Sequence, residues 1–140
     1  MDYQRFLDAQ EPVYEQVLRE LRAGNKMSHW MWFIFPQLRD LGRSSTARFY
    51  GIENRTEAME YLAHPVLGPR LKQCTQIMLT HKGRSAQDIL HDPDYLKFRS
   101  CMTLFQLADP TEPIFQQALD AFYRGLPDDM TEQLLNRMAK

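Results

Sequence analysis

Two cysteines, six glycines and no apolar run longer than Trp30 to Phe35 set the first limits on this chain of 140 residues. A helix that crosses a bilayer needs about 20 apolar residues, so a membrane-spanning segment is not expected. The N-terminal stretch MDYQRFLDAQEP has neither the basic head nor the apolar stretch of a secretory leader, which points to a cytoplasmic protein. Cys74 and Cys101 sit among apolar neighbours, which reads as two buried free thiols, not a disulfide framework. With so few glycines there is no glycine-rich phosphate loop, no G-x-S-x-G elbow and no dinucleotide fingerprint. His29, His64, His81 and His91 never fall at zinc-ligand spacing with each other or with the cysteines. No metal and no cofactor are expected.

What the chain does have is an ordinary globular composition, 44% hydrophobic and 25% charged, at a length that buries a real core in one domain. Net charge is −1 but unevenly spread. Residues 22 to 84 carry ten Lys or Arg against four acids. Either an anionic partner faces this segment, or acidic flanks fold back on it. A pI near 6.4 speaks against a dedicated nucleic-acid binder.

Periodicity points to helices throughout. Val13, Val17, Leu18 and Leu21 recur at helical spacing after Pro12, and Gly24 is placed as the left-handed stop. Thr56 to Ala63 ends before His64-Pro65, and Leu67 to His81 stops near Gly83. Ser85 with Asp88 starts a further helix, and Asp92-Pro93 opens another whose buried side is Leu96, Phe98, Cys101, Met102 and Phe105. Thr111 caps a helix with Pro113 in its first turn and Gly125 as stop, and Thr131 to Ala139 closes the chain. Ser28 and Pro36 bracket a buried helix of about two turns, because the aromatic run does not alternate as a strand would. The expected fold is all-α, a single compact multi-helix domain over residues 1–140.

The block from Ser28 to Ser45, SHWMWFIFPQLRDLGRSS, concentrates the chemistry. Both tryptophans lie in it, and each indole N–H needs a partner once buried. His29 shares a helical face with Trp32 and Phe33, and Gln37 offers an amide that both donates and accepts. A helix starting near Ser45, after Ser44 and beside Arg43, would present free N–H groups to a phosphate or carboxylate. Arg70 forms a further basic spot, which would complete one positive rim if it met Arg43. On another helix Asp94 and Lys97 are three apart and can pair, with Ser100 beside them.

The strings HWMWFIFPQL, LGRSS, EAMEYLAHPVLGPRL and MTLF resemble the bacterial family catalogued as domain of unknown function 1810, sometimes mislabelled calpastatin. The similarity runs from Phe6 to Thr131. The resemblance implies a compact all-helical domain and no established activity, substrate or cofactor. Its pattern extends to Lys26, His29, Trp30, Trp32, Gln37, Ser44, His64, Arg70, Asp94, Lys97 and Ser100. Its members tend to carry serine where this chain has Cys101, which lowers any case for an essential thiol.

The resulting expectation is a pocket for a small anionic metabolite, nucleotide-like or a sugar phosphate, with hydrolysis or group transfer as its reaction classes. His29 would move a proton or hold the ligand, supported by Lys97 and Asp94. Arg43, Ser44 and Arg70 would bind the anion, Gln37 its polar edge, and Trp30 or Trp32 would stack on a ring. The alternative is a protein-interaction module, with the aromatic block as an exposed patch and no catalytic activity. Oligomeric state is left open.

Overall fold

The computed structural model describes residues 2–138. Among them are ten α-helices and one 3-10 turn, and no strand longer than an isolated bridge. None of the helices is long and apolar enough to cross a membrane. The fold is all-α, as the periodicity indicates.

α8 (Asp94–Ala108) is the axis of the structure, packed against α5 (Arg55–Ala63), α7 (Ala86–Leu90), α9 (Pro113–Tyr123) and α10 (Asp129–Met138). Phe98, Cys101, Met102, Leu104 and Phe105 are all fully buried along it. Their spacing turns nearly the whole circumference of the helix inward after its first turn, which only a central helix tolerates. α6 (Leu67–Leu79) packs on α2 (Tyr14–Ala23), α5 and α9.

Several helix ends follow the expected chemistry. Gly24 takes a left-handed conformation (φ 69°) after α2, and Ser85 Oγ accepts from the Asp88 N–H at 3.0 Å. Others are corrected. α5 is capped by Asn54, one residue before its first helical position, and α9 by Glu112. The Thr111 hydroxyl is engaged with Asp109 instead. The first stretch is a helix in its own right, α1 (Gln4–Gln10), with Phe6 edge-on to Tyr61 at 5.1 Å. The buried Gln10 amide donates to the Phe33 carbonyl at 2.7 Å and so ties α1 to the aromatic block. Ala139, the expected end of the last helix, lies outside the described residues.

The aromatic block itself is only one helical turn, α3 (Met31–Ile34), not two. Ser28 does not cap it. Its hydroxyl and N–H instead reach Glu20, at 2.6 and 2.9 Å. After Pro36 the chain extends, pairs Gln37 and Arg39 with Ile52, passes the 3-10 turn Arg39–Leu41 and enters α4 (Ser45–Phe49).

Between α7 and α8 a single residue carries the most strained backbone. His91 has φ 69° and ψ 173°, a region that is essentially glycine-only and costs a residue with a side chain about 1–3 kcal/mol. Its N–H donates to Gln87 and its carbonyl accepts from Tyr95, so both neighbouring helices hold it there.

Candidate functional site

The groove that emerges lies where α8 meets the aromatic block, and Lys97 is at its centre. An outer cavity of about 640 Å³ is lined by Gln37, Arg43, Ser44, Leu96, Lys97 and Met130, among others. An inner cavity of about 380 Å³ is lined by Lys26, His29, Trp32, His91, Asp92 and Asp94, and again by Lys97. Trp32, Gln37 and Lys97 also line the narrow cleft between them. Seven residues singled out from sequence therefore border adjoining cavities that share Lys97: His29, Trp32, Gln37, Arg43, Ser44, Asp94 and Lys97.

Their electrostatic states differ. Arg43 is exposed and has no carboxylate within ion-pair distance among the described residues. Lys97 lies 5.7 Å from the Trp32 ring centroid and 3.7 Å from Asp94 Oδ1. Asp94 is the closer partner of Lys26, at 2.8 Å, which weakens its hold on Lys97. Lys26 also donates to the Ser28 carbonyl at 2.7 Å and is nearly buried. It thereby joins the first turn of α8 to the segment before the aromatic block. The Ser44 hydroxyl accepts from the Ala47 N–H at 3.1 Å, so its first duty is to cap α4.

Trp30 and Arg70 do not belong to the groove. Trp30 is 1% exposed and its indole N–H donates to Glu20 Oε1 at 3.0 Å, so it is core and no stacking wall. Arg70 borders neither cavity. Its guanidinium donates to Glu11 at 2.9 Å and Gln10 at 3.3 Å and lies 4.7 Å from the Tyr14 ring centroid. The positive rim expected from Arg43 and Arg70 together is not formed. The basic middle segment is partly matched by acids from outside it, through Lys26–Asp94, Arg70–Glu11, Lys72–Glu112 and Arg84–Asp88. Arg43 is left out of that neutralisation.

Two other constellations are structural. His64 Nδ1 accepts from the Val66 and Leu67 N–H groups at 3.1 and 3.2 Å, which caps the entry to α6. Cys74 and Cys101 are fully buried, and burial pushes the Cys74 thiol up to about 12 and raises Cys101 well above its ordinary value. Neither is a nucleophile near neutral pH.

Sequence reasoning missed Glu20, which is 4% exposed and accepts from five donors: Gln16 Nε2, the Met27 and Ser28 N–H groups, the Ser28 hydroxyl and the Trp30 indole. Desolvation pushes its pKa up, but these hydrogen bonds outweigh that and bring it down to about 2. The available signal was its place three residues after Val17 on the buried face of α2, together with an indole that needed an acceptor. His91 was missed as well, and no pattern in the sequence marks it.

Fold and groove together define a small all-α protein with a cation-bearing surface cleft and, among the described residues, no grouping of side chains fit to hold a metal. The family described as "Protein of unknown function (DUF1810)" matches residues 1–135, and the chain belongs to it. A crystal structure of a conserved hypothetical protein, Rv1873 from Mycobacterium tuberculosis, is similar at 49% identity with a TM-score of 0.94, over 96% of both chains. No curated protein matches the chain.

Proposed function

We propose that the groove binds a small anionic metabolite bearing a ring, of the nucleotide or sugar-phosphate kind. One observation carries the reading. The Trp32 indole N–H, the Gln37 amide and the Arg43 guanidinium border the same cavities as Lys97, and none of the three has a hydrogen-bond partner among the described residues. Every buried side-chain nitrogen and oxygen among those residues has a partner, so donors are left open only where water or a ligand reaches them. Several unpaired donors converging beside a cation suit an anion. The half-buried Trp32 ring is the surface on which a planar or sugar ring would lie. His29, exposed on the inner wall, is the group placed to move a proton if hydrolysis or transfer follows binding in a cytoplasmic setting.

A thermal-shift screen with nucleotides, ADP-ribose and sugar phosphates tests it. A ligand present at about 100 times its Kd should add about 2.7 kcal/mol, which is several degrees in Tm. Arg43→Ala and Lys97→Ala should each weaken the response about tenfold in ligand concentration. Arg70→Ala should lower the starting Tm yet leave the response intact. No shift with any compound sinks the reading.

The aromatic block is mostly buried and forms no exposed patch, so a second reading, a protein-interaction module, draws instead on Leu96 and Met130, which border the outer cavity and are 47% and 50% exposed. Large apolar side chains on a cavity rim also suit a protein partner. Sedimentation and pull-down separate the two, since self-association or stable capture without any small-molecule response favours docking.

A further inference from the structure

The inner cavity differs from the outer one in chemistry. Its wall combines two imidazoles (His29 and His91), two carboxylates (Asp92 and Asp94) and the Trp32 ring, with Lys97 at its mouth. The carboxylates make it a poor seat for a second anion. Lys26, held at 2.8 Å from Asp94, makes it a poor seat for an amine. Alternating acceptors and donors beside an aromatic face suit a neutral group rich in hydroxyls.

His91 is the element that needs explaining. Its backbone sits where glycine is strongly favoured, and the strain is sustained by hydrogen bonds from both flanking helices. Glycine at this position would keep those backbone bonds and remove the strain. What it would lose is the imidazole, whose Nε2 lies 2.7 Å from Asn25 Oδ1. With Nε2 as the donor to that amide oxygen, Nδ1 is the nitrogen left with a lone pair for a hydroxyl. An exposed bond to an asparagine is small compensation for the strain, so the side chain has another use.

We infer that the inner cavity is the sugar-binding half of the site, with His91 and Asp92 receiving hydroxyls while Lys97 and Arg43 hold the phosphate of the same ligand. The inference rests on the anion-binding reading above and adds where the two halves of that ligand lie, the sugar in the inner cavity on His91 and Asp92 and the phosphate beside Lys97 and Arg43. The two cavities share Lys97 and Pro93, so one molecule can span both.

Calorimetry on the full chain with ribose 5-phosphate and inorganic phosphate tests it. Wild type should bind ribose 5-phosphate at least tenfold more tightly than inorganic phosphate. His91→Gly should raise Tm by a few degrees and abolish that preference, with phosphate affinity unchanged. Asp92→Asn should weaken ribose 5-phosphate while leaving phosphate binding equal or tighter, because it removes a negative charge near the anion. Equal affinity for the two probes in wild type overturns the inference and leaves the anion site standing. A His91→Gly variant that keeps the preference, or that loses stability, overturns it as well. Failure of both probes to bind wild type removes this inference together with the reading beneath it.

Discussion

Glu20→Ala should destabilise the protein by about 3–5 kcal/mol, which lowers Tm by about 10–15 °C. The reason is the number of donors that depend on one buried carboxylate. Removing it strands the Trp30 indole inside the core and leaves the N–H groups of Met27 and Ser28 without an acceptor. Glu20→Gln keeps one acceptor oxygen, enough for the Met27, Ser28 and Trp30 N–H groups, loses the one that faces Gln16 and the Ser28 hydroxyl, and should cost about half as much. It should also remove a pH dependence. The folded-state pKa is depressed to about 2 from an ordinary 4.5. The stability this adds is therefore fully present above pH 4.5 and is lost as pH falls toward 2. Its full size is about 3 kcal/mol. Urea midpoints measured between pH 2 and 6 should slope steeply downward toward acid in wild type and much less in Glu20→Gln. Parallel slopes would mean that Glu20 is not the group responsible.

The second large effect is at Gly68. A glycine-to-alanine change inside a helix ordinarily stabilises by about 0.5–1 kcal/mol. Here a Cβ would lie 2.0 Å from the Leu62 carbonyl oxygen and 2.9 Å from its carbon, both main-chain atoms of α5 that cannot swing aside. α5 and α6 would have to separate, so Gly68→Ala should cost at least about 3 kcal/mol. Chemical denaturation read by tryptophan fluorescence checks it. A neutral or stabilising result would show that the two helices are free to move apart.

That prediction also recasts the string HPVLGPRL. From sequence its histidine and arginine look like companions of the aromatic block in a site. In the structure His64 caps α6, Gly68 permits the close approach of two helices, and Arg70 ties α6 to α1 and α2. A distinctive motif of polar residues was architecture, because local chain reversal and close packing need specific residue types as much as ligands do. The helices themselves were legible, since apolar spacing and the serine at position 85 are local physics. α1 was not, because its buried face holds only Phe6 and Gln10. Its stability comes from distant partners such as the Phe33 carbonyl and Tyr61.

The groove was half legible for a related reason. Residue type showed that Gln37, Arg43 and Lys97 were available for chemistry. Only the three-dimensional path showed that Trp32 faces the cleft while Trp30, two positions earlier, faces Glu20. Opposite fates for two indoles so close together depend on a single helical turn, whose phase no pattern in six apolar residues specifies.

The Glu20 contacts carry one more consequence. Residues 26–29 form no regular element, yet they build a wall of the inner cavity. A stretch of this kind ordinarily frays and exchanges its amide hydrogens within the measuring dead time. The amides of Met27 and Ser28 point instead at a buried carboxylate and should exchange as slowly as those of α2. The wall is thus ordered before any ligand arrives. Any molecule that entered the cavity would meet a rigid surface and would lose little of its binding energy to folding the loop around itself.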